Sequence, residues 1–167
     1  MFRIDAVDLR WLESVEDERM DLCLHGRAFG QIGDETFEYN CTVSSTALYL
    51  LKSLSENHPN SRSNQMLPCC GFSIFPCKDT GSVDICGCSN GIDWSVVHEG
   101  DCVRLTTEAG NETDIAFDEY RQAVWSFADK IESFYLRSAP KMPCDIEERI
   151  AYTAFWDEWK RRRKQTK

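Results

Sequence analysis

Four turn signals that contain glycine divide residues 72–117 into short segments, and this regular spacing constrains the fold more than any other feature of the chain. The signals are Asp79-Thr80-Gly81, Asn90-Gly91, Glu99-Gly100 and Ala109-Gly110. Asn-Gly is the strongest of them, because both central residues of its tight hairpin turn adopt positive φ. The apolar-rich segments around these turns have the length of strands, at residues 72–76, 83–88, 92–98, 103–107 and 113–117. Short strands joined in sequence by tight turns predict an antiparallel β-meander.

Helical periodicity appears on both sides of the meander. Ser44 or Ser45 is expected to cap a helix whose apolar residues lie within positions 47–54. A second helix is indicated at residues 117–134, where apolar side chains recur at steps of three and four residues. Asp145 and Glu148 have the spacing of a capping box, which predicts the start of a last helix.

The combined pattern predicts an α+β fold in which an antiparallel β-meander sheet is packed by one central and two C-terminal helices. Alternating apolar and polar residues at 20–43 add strands joined by a hairpin near residues 30–34. We expect one α+β domain over residues 1–160, because a chain of 167 residues is ordinary for a single domain. Residues 161–167 are expected to form a basic, solvated C-terminal tail.

The charge is strongly acidic over most of the chain. The sequence holds 28 Asp and Glu residues against 19 Lys and Arg, and six of the basic residues follow Trp159. An acidic surface repels nucleic acid and attracts basic surfaces. We therefore expect no nucleic-acid partner. The acidic surface is expected either to serve solubility alone or to bind a basic protein partner.

The beginning of the sequence and its cysteine content predict a cytoplasmic location. The first 20 residues mix apolar and charged side chains without the apolar run of a secretory signal. No segment approaches the roughly 18–20 apolar residues that a membrane-spanning helix needs, so no membrane partner is expected. Thiols stay reduced in the cytoplasm, and the nine cysteines are an odd number that cannot all pair within one chain. We therefore expect no disulfides.

Five of those nine cysteines lie in the segment LPCCGFSIFPCKDTGSVDICGCSNGIDW, which raises the question of a metal site. Structural zinc sites usually use two Cys-x2-4-Cys pairs. Here Cys69 and Cys70 are adjacent, Cys77 stands alone, and Cys86 and Cys88 are separated by one residue. The favoured interpretation is that these cysteines are small buried hydrophobic residues and that no cofactor is bound.

The alternative is a zinc site formed by Cys69, Cys70, Cys88 and His98. Adjacent cysteines point to opposite faces of an extended strand, so this site requires the chain to bend. A bend at Gly71 is the expected way to bring Cys69 or Cys70 next to Cys88. On this alternative the protein is a small metal-binding protein built on the cysteine cluster between residues 69 and 88.

No catalytic residue is predicted. The sequence has three histidines and lacks the nucleophile elbow, the phosphate-binding loop and the His-Glu-x-x-His zinc motif. A nucleophile needs a base within hydrogen-bond reach, and no such pair is evident from spacing. The interpretation is therefore a non-enzymatic protein that binds another protein.

One aromatic face on the last predicted helix is a candidate for binding a partner. Tyr152, Phe155, Trp156 and Trp159 recur at helical spacing. Core packing is the favoured role, and Trp156→Ala is then expected to cost roughly 3–5 kcal/mol. The alternative is that Trp156 and Trp159 form an interface with a partner or close a homodimer.

At CCG and GCSNGIDW, and again at FDEYRQAVWSFADKIESFY and AFWDEW, the chain resembles a family of small, uncharacterised bacterial proteins. The resemblance covers roughly residues 67–160. It implies an α+β fold, and it implies relatives that look like the immunity proteins of toxin systems. It transfers no catalytic residue. On this basis the expected function is an immunity-type inhibitor that covers a basic toxin.

Overall fold

The first strands form a three-stranded antiparallel sheet, and one helix, a run of short strands and two long helices follow in the described chain. The computed structural model describes residues 1–12, 17–61, 64–70, 73–77 and 79–165. Besides a short 3-10 helix at Glu18–Met20, the elements in chain order are β1 (Phe2–Arg10), β2 (His25–Ile32), β3 (Glu35–Cys41), α1 (Val43–Ser53), β4 (Ser73–Pro76), β5 (Val83–Cys86), β6 (Trp94–Glu99), β7 (Cys102–Thr107), β8 (Glu112–Ala116), α2 (Phe117–Arg137) and α3 (Ile146–Gln165).

The α+β class and its three α-helices are confirmed. Within the described residues the strands form three antiparallel sheets, β1-β2-β3, β4-β5 and β6-β7-β8. The turns after β6 and β7 contain Gly100 and Gly110, whose φ values of +61° and +84° suit glycine. The expected meander is therefore divided between two sheets, with the break between β5 and β6.

The break occurs at Asn90-Gly91, where the prediction of a two-residue hairpin turn was wrong. Neither residue has the positive φ that such a turn requires. Instead the side chain of Gln65 accepts a hydrogen bond from the Gly91 N–H at 2.8 Å and donates one to the Gly91 carbonyl at 3.2 Å. Leu67 and Ile92 form an isolated antiparallel bridge beside it. Contacts with a distant segment thus override the local preference of the Asn-Gly pair.

The three α-helices supply much of the core. All but one residue of α1 are buried, which makes it the central helix. Helix α2 packs against α1 and β1, and α3 packs against α1, β4 and β5. Ser44 or Ser45 was expected to cap α1, but the helix begins at Val43, so both serines lie within it. The Ser44 hydroxyl accepts a hydrogen bond from the Leu24 N–H at 3.0 Å. No helix in the described ranges is long and apolar enough to cross a bilayer.

The start of α3 carries the predicted capping interactions. The Glu148 N–H donates to Asp145 Oδ1 at 2.8 Å, and the Glu148 carboxylate accepts from the Cys144 N–H at 2.7 Å. These bonds satisfy donors that a helix start leaves without partners.

The end of α3 differs from the solvated tail expected at residues 161–167. Helix α3 continues to Gln165, and Thr166 and Lys167 lie outside the described residues. The Arg162 side chain is buried, and its guanidinium lies 3.1 Å from the Glu158 carboxylate, which is also buried. A buried ion pair holds this turn against the body of the protein, so the basic residues here continue the helix.

Candidate metal centre

Two segments that are far apart in sequence meet beside the broken meander. Leu67 and Ile92 exchange backbone hydrogen bonds of 2.9 and 3.1 Å. The buried Asp93 side chain supports this pairing, because it accepts hydrogen bonds from the Met66 N–H at 3.0 Å and from the Ser61 N–H at 2.7 Å. The segment before Cys69 is therefore fixed beside the segment that follows Cys88.

Glycine at two positions allows the segments to approach this closely. A Cβ atom on Gly87 would lie 2.8 Å from the Cys70 carbonyl oxygen, and one on Gly91 would lie 2.3 Å from the Leu67 carbonyl oxygen. Both distances are shorter than nonbonded contacts allow. The glycines of the GCSNG stretch thus make room for the backbone that carries the adjacent cysteines.

This approach brings three thiols together. The sulfur atoms of Cys69, Cys70 and Cys88 all lie within 4.8 Å of one another, and all three residues are half-buried. The Cys88 N–H also donates to Cys70 Sγ at 3.4 Å. Cys69 and Cys70 lie in a bend of the chain, so they do not alternate between faces as in an extended strand. The expected bend at Gly71 lies outside the described residues.

The other two cysteines of the segment lie outside the thiol group. Cys86 is exposed opposite Ser73, and Cys77 is exposed opposite Ser82. None of the nine cysteines, all of which are described, forms a disulfide.

His98 is separate from the three thiols. Its ring Nε2 lies 2.9 Å from the Ser53 carbonyl oxygen, and its backbone N–H donates to Asn57 Oδ1 at 2.9 Å. On the sheet it pairs with Val103. His98 therefore joins β6 to the end of α1 and does not belong to the cysteine group.

Hydrogen bonds among the sulfur atoms shift the pKa values of Cys70 and Cys88 in opposite directions. The pKa of Cys88 is lowered, first by a hydrogen bond from Cys70 and then by the Asn90 backbone and Cys69. The pKa of Cys70 is raised, chiefly by that same hydrogen bond to Cys88. Cys88 therefore loses its proton before Cys70, and its thiolate accepts hydrogen bonds from its neighbours.

Tyr39 borders the group, although no sequence pattern predicted its involvement. Its hydroxyl donates to the Asn90 carbonyl oxygen. A hydrogen bond with Cys69 and partial burial raise the pKa of Tyr39 to about 12. The position of Tyr39 follows from the pairing of β2 with β3, a contact that residue spacing does not reveal.

The geometry of the three thiols fits a metal ion that prefers sulfur. Zinc–sulfur bonds of about 2.3 Å place the sulfur atoms of a tetrahedral site about 3.8 Å apart. The three thiols lie within 4.8 Å of one another, so small side-chain adjustments would give them the spacing of three ligands of such a site. Metal binding would replace the thiol protons, because the thiolate is the ligand form.

The aromatic face of α3 is turned toward the protein itself. Trp159 is completely buried, and its indole N–H donates to Glu132 Oε2 at 3.3 Å. Trp156 is half-buried, with its ring centroid 5.0 Å from that of Tyr135. These contacts give the face a packing role between α3 and α2.

The comparisons with known proteins add no family to this description. No protein-family model matches the chain, and no match was found among curated proteins or solved structures.

Proposed function

We propose that this protein binds a thiophilic metal ion through Cys69, Cys70 and Cys88. The observation that carries the proposal is the convergence of the three sulfur atoms within 4.8 Å from segments 18 residues apart. Thiolate ligands favour Zn²⁺, Cu⁺ and iron–sulfur clusters over hard cations such as Mg²⁺ and Ca²⁺. Gly87 and the Leu67–Ile92 pairing support the proposal because they hold the ligand-bearing backbone in place.

Unpaired thiolates so close together would repel one another, and a bound cation removes that repulsion. We therefore expect binding to release protons and to strengthen as pH rises. The bound ion would also link residues 69–70 to residue 88, which stabilises the folded state by mass action.

The test is metal binding by reduced, metal-free protein under anaerobic conditions. Co²⁺, the spectroscopic substitute for Zn²⁺, should produce sulfur-to-metal charge-transfer absorption at one ion per chain, and elemental analysis should find the same ratio after loading. Cys88→Ser should abolish this binding. Cys86→Ser is the matched control because Cys86 lies two residues away, is exposed and stands outside the thiol group. Equal binding by both variants and the wild type would refute the proposal.

A second candidate function, binding of a basic protein, rests on an acidic groove. The groove has a volume of about 540 Å³ and lies between the β2–β3 and β7–β8 turns. Its lining includes Asp34, Glu35 and Glu112, and no Lys or Arg. Glu35 is held by Thr107 Oγ1 at 2.8 Å and Asn111 Nδ2 at 3.0 Å, and these hydrogen bonds lower its pKa. An oriented carboxylate in an acidic protein suits a basic side chain, as an immunity-type inhibitor of a basic toxin would require.

Binding of a lysine-rich peptide tests this second candidate. The double substitution Asp34→Asn with Glu112→Gln should weaken binding and reduce its salt dependence. The control is Glu147→Gln, which removes an exposed carboxylate from the first turn of α3. An equal effect of control and groove variants would show that only net charge matters.

A further inference from the structure

We infer that the ion held by the three thiols is Cu⁺ in a three-coordinate, all-sulfur site, an inference that rests on the proposed function. It concerns the number and type of ligands that surround the ion. Three observations support it: the donor set, the group that borders it, and the accessibility of the site.

The described residues supply three ligand atoms, and all three are sulfur, a soft donor. Within the described chain, no histidine or carboxylate joins Cys69, Cys70 and Cys88. Structural zinc is almost always bound by four protein ligands, and the common iron–sulfur clusters are held by four cysteines. Thiolate sulfur favours Cu⁺, a d¹⁰ ion that is satisfied by three such ligands in a plane. With metal–sulfur bonds of about 2.3 Å, the sulfurs of a planar site lie about 4.0 Å apart, which is close to the observed grouping.

Tyr39 borders the thiol group beside Cys69. Its hydroxyl proton is used in a hydrogen bond to the Asn90 carbonyl, and the oxygen lies within hydrogen-bond reach of Cys69. Tyr39 therefore contacts a ligand sulfur through a hydrogen bond, while its hydroxyl is directed at a backbone carbonyl.

The site is also placed for exchange of its ion with solution. Cys69, Cys70 and Cys88 are half-buried, so a small thiol or a partner's cysteine can reach the bound ion. Loading exchanges protons for the ion without any change of oxidation state: three thiols and one Cu⁺ give the copper tris-thiolate and three protons.

The experiment loads reduced, metal-free protein anaerobically with Cu⁺ or with Zn²⁺ and counts ligands by X-ray absorption spectroscopy. The copper form should show three sulfur neighbours and one ion per chain. The zinc form should show three sulfurs with an additional oxygen, and it should lose its ion to a competing chelator. Tyr39→Phe should leave both sulfur counts unchanged, because the phenol oxygen is not a ligand.

The outcomes separate this inference from the proposed function. A zinc form with four protein ligands that resists the chelator, or a copper form with only two sulfurs, would overturn the three-coordinate Cu⁺ assignment while metal binding stands. Loss of an oxygen or nitrogen neighbour in Tyr39→Phe would also overturn it. Failure to bind either ion, or binding that survives Cys88→Ser, would overturn the proposed function itself.

Discussion

Removal of the buried Glu158 carboxylate should be among the most destabilising changes on α3. The Glu158 side chain is completely buried and accepts hydrogen bonds from Arg162 Nε at 3.2 Å and Nη2 at 3.1 Å. It also accepts from the Val83 N–H at 2.5 Å and from Ser82 Oγ at 3.2 Å, which fastens β5 to α3. Glu158→Ala therefore leaves a buried guanidinium and a buried backbone N–H without their main acceptor.

The magnitude follows from these contacts. Loss of one partner from a buried ion pair typically costs about 3–5 kcal/mol. Arg162 retains Glu56 at 2.6 Å and Ser55 at 2.9 Å, so we expect the lower part of that range, about 3 kcal/mol. Glu158→Gln keeps the shape and one acceptor oxygen, so its cost should be smaller, about 1.5–2 kcal/mol.

Urea denaturation followed by tryptophan fluorescence measures both effects as shifts of the midpoint at constant slope. Glu147→Ala, an exposed acidic residue of the same helix, is the control and should change stability by no more than about 0.5 kcal/mol. Replacing Glu158 and Arg162 together by methionine should recover the part of the loss that comes from the buried guanidinium, because neither buried charge remains, whereas the Val83 N–H still lacks its acceptor. A cost below about 1 kcal/mol for Glu158→Ala, the value of an exposed ion pair, would refute the reasoning.

Three further predictions concern the ligand segments, the aromatic core and the buried thiols. Gly87→Ala places a Cβ 2.8 Å from the Cys70 carbonyl oxygen and should lower the affinity for metal. Ser89→Ala, on the neighbouring exposed turn, should leave that affinity unchanged. Equal binding by the two variants would contradict the role of Gly87. In denaturation experiments Trp159→Ala should lower the free energy of unfolding by about 3–5 kcal/mol. Trp156→Ala should lower it less, because of these two tryptophans only Trp159 is fully buried. The reverse order would contradict the packing of α3. Burial raises the pKa of Cys23 from 9.0 to about 12, so its contribution to stability is complete below pH 9 and is lost as pH rises toward 12. Cys23→Ala should show a smaller fall of the urea midpoint over that range, and an unchanged fall would show that other groups cause it.

Local sequence signals predicted the helices well because their determinants lie within a few residues. The apolar repeat from Phe117 onward gives α2, and Asp145 with Glu148 starts α3 as a capping box does. The end of α3 was misjudged because Arg162 is buried only through its contacts with Glu158 and Glu56. A run of basic residues gives no indication of a buried ion pair.

The thiol group was predicted only in part, for a physical reason. In the sequence Cys77 stands alone, but whether Cys69 and Cys70 face Cys88 depends on a bend and on the Leu67–Ile92 bridge. That bridge is a contact between segments 25 residues apart, and it displaced the hairpin that Asn90-Gly91 favours locally. Side-chain direction in such segments is set by tertiary contacts, which local propensity does not encode.

The contacts between the first strand region and α2 have a consequence for synthesis on the ribosome. The Phe2 N–H donates to Glu119 at 3.3 Å, and the Trp11 indole donates to Ser138 at 3.2 Å, across 117 and 127 residues of chain. Strands β1–β3 therefore emerge long before the helix that covers them, at a synthesis rate of about 5–20 residues per second. During these seconds the apolar face of the sheet stays open to chaperones and to other nascent chains. Slower translation of residues 42–116 should accordingly lower the soluble yield, while faster translation of the same stretch should raise it.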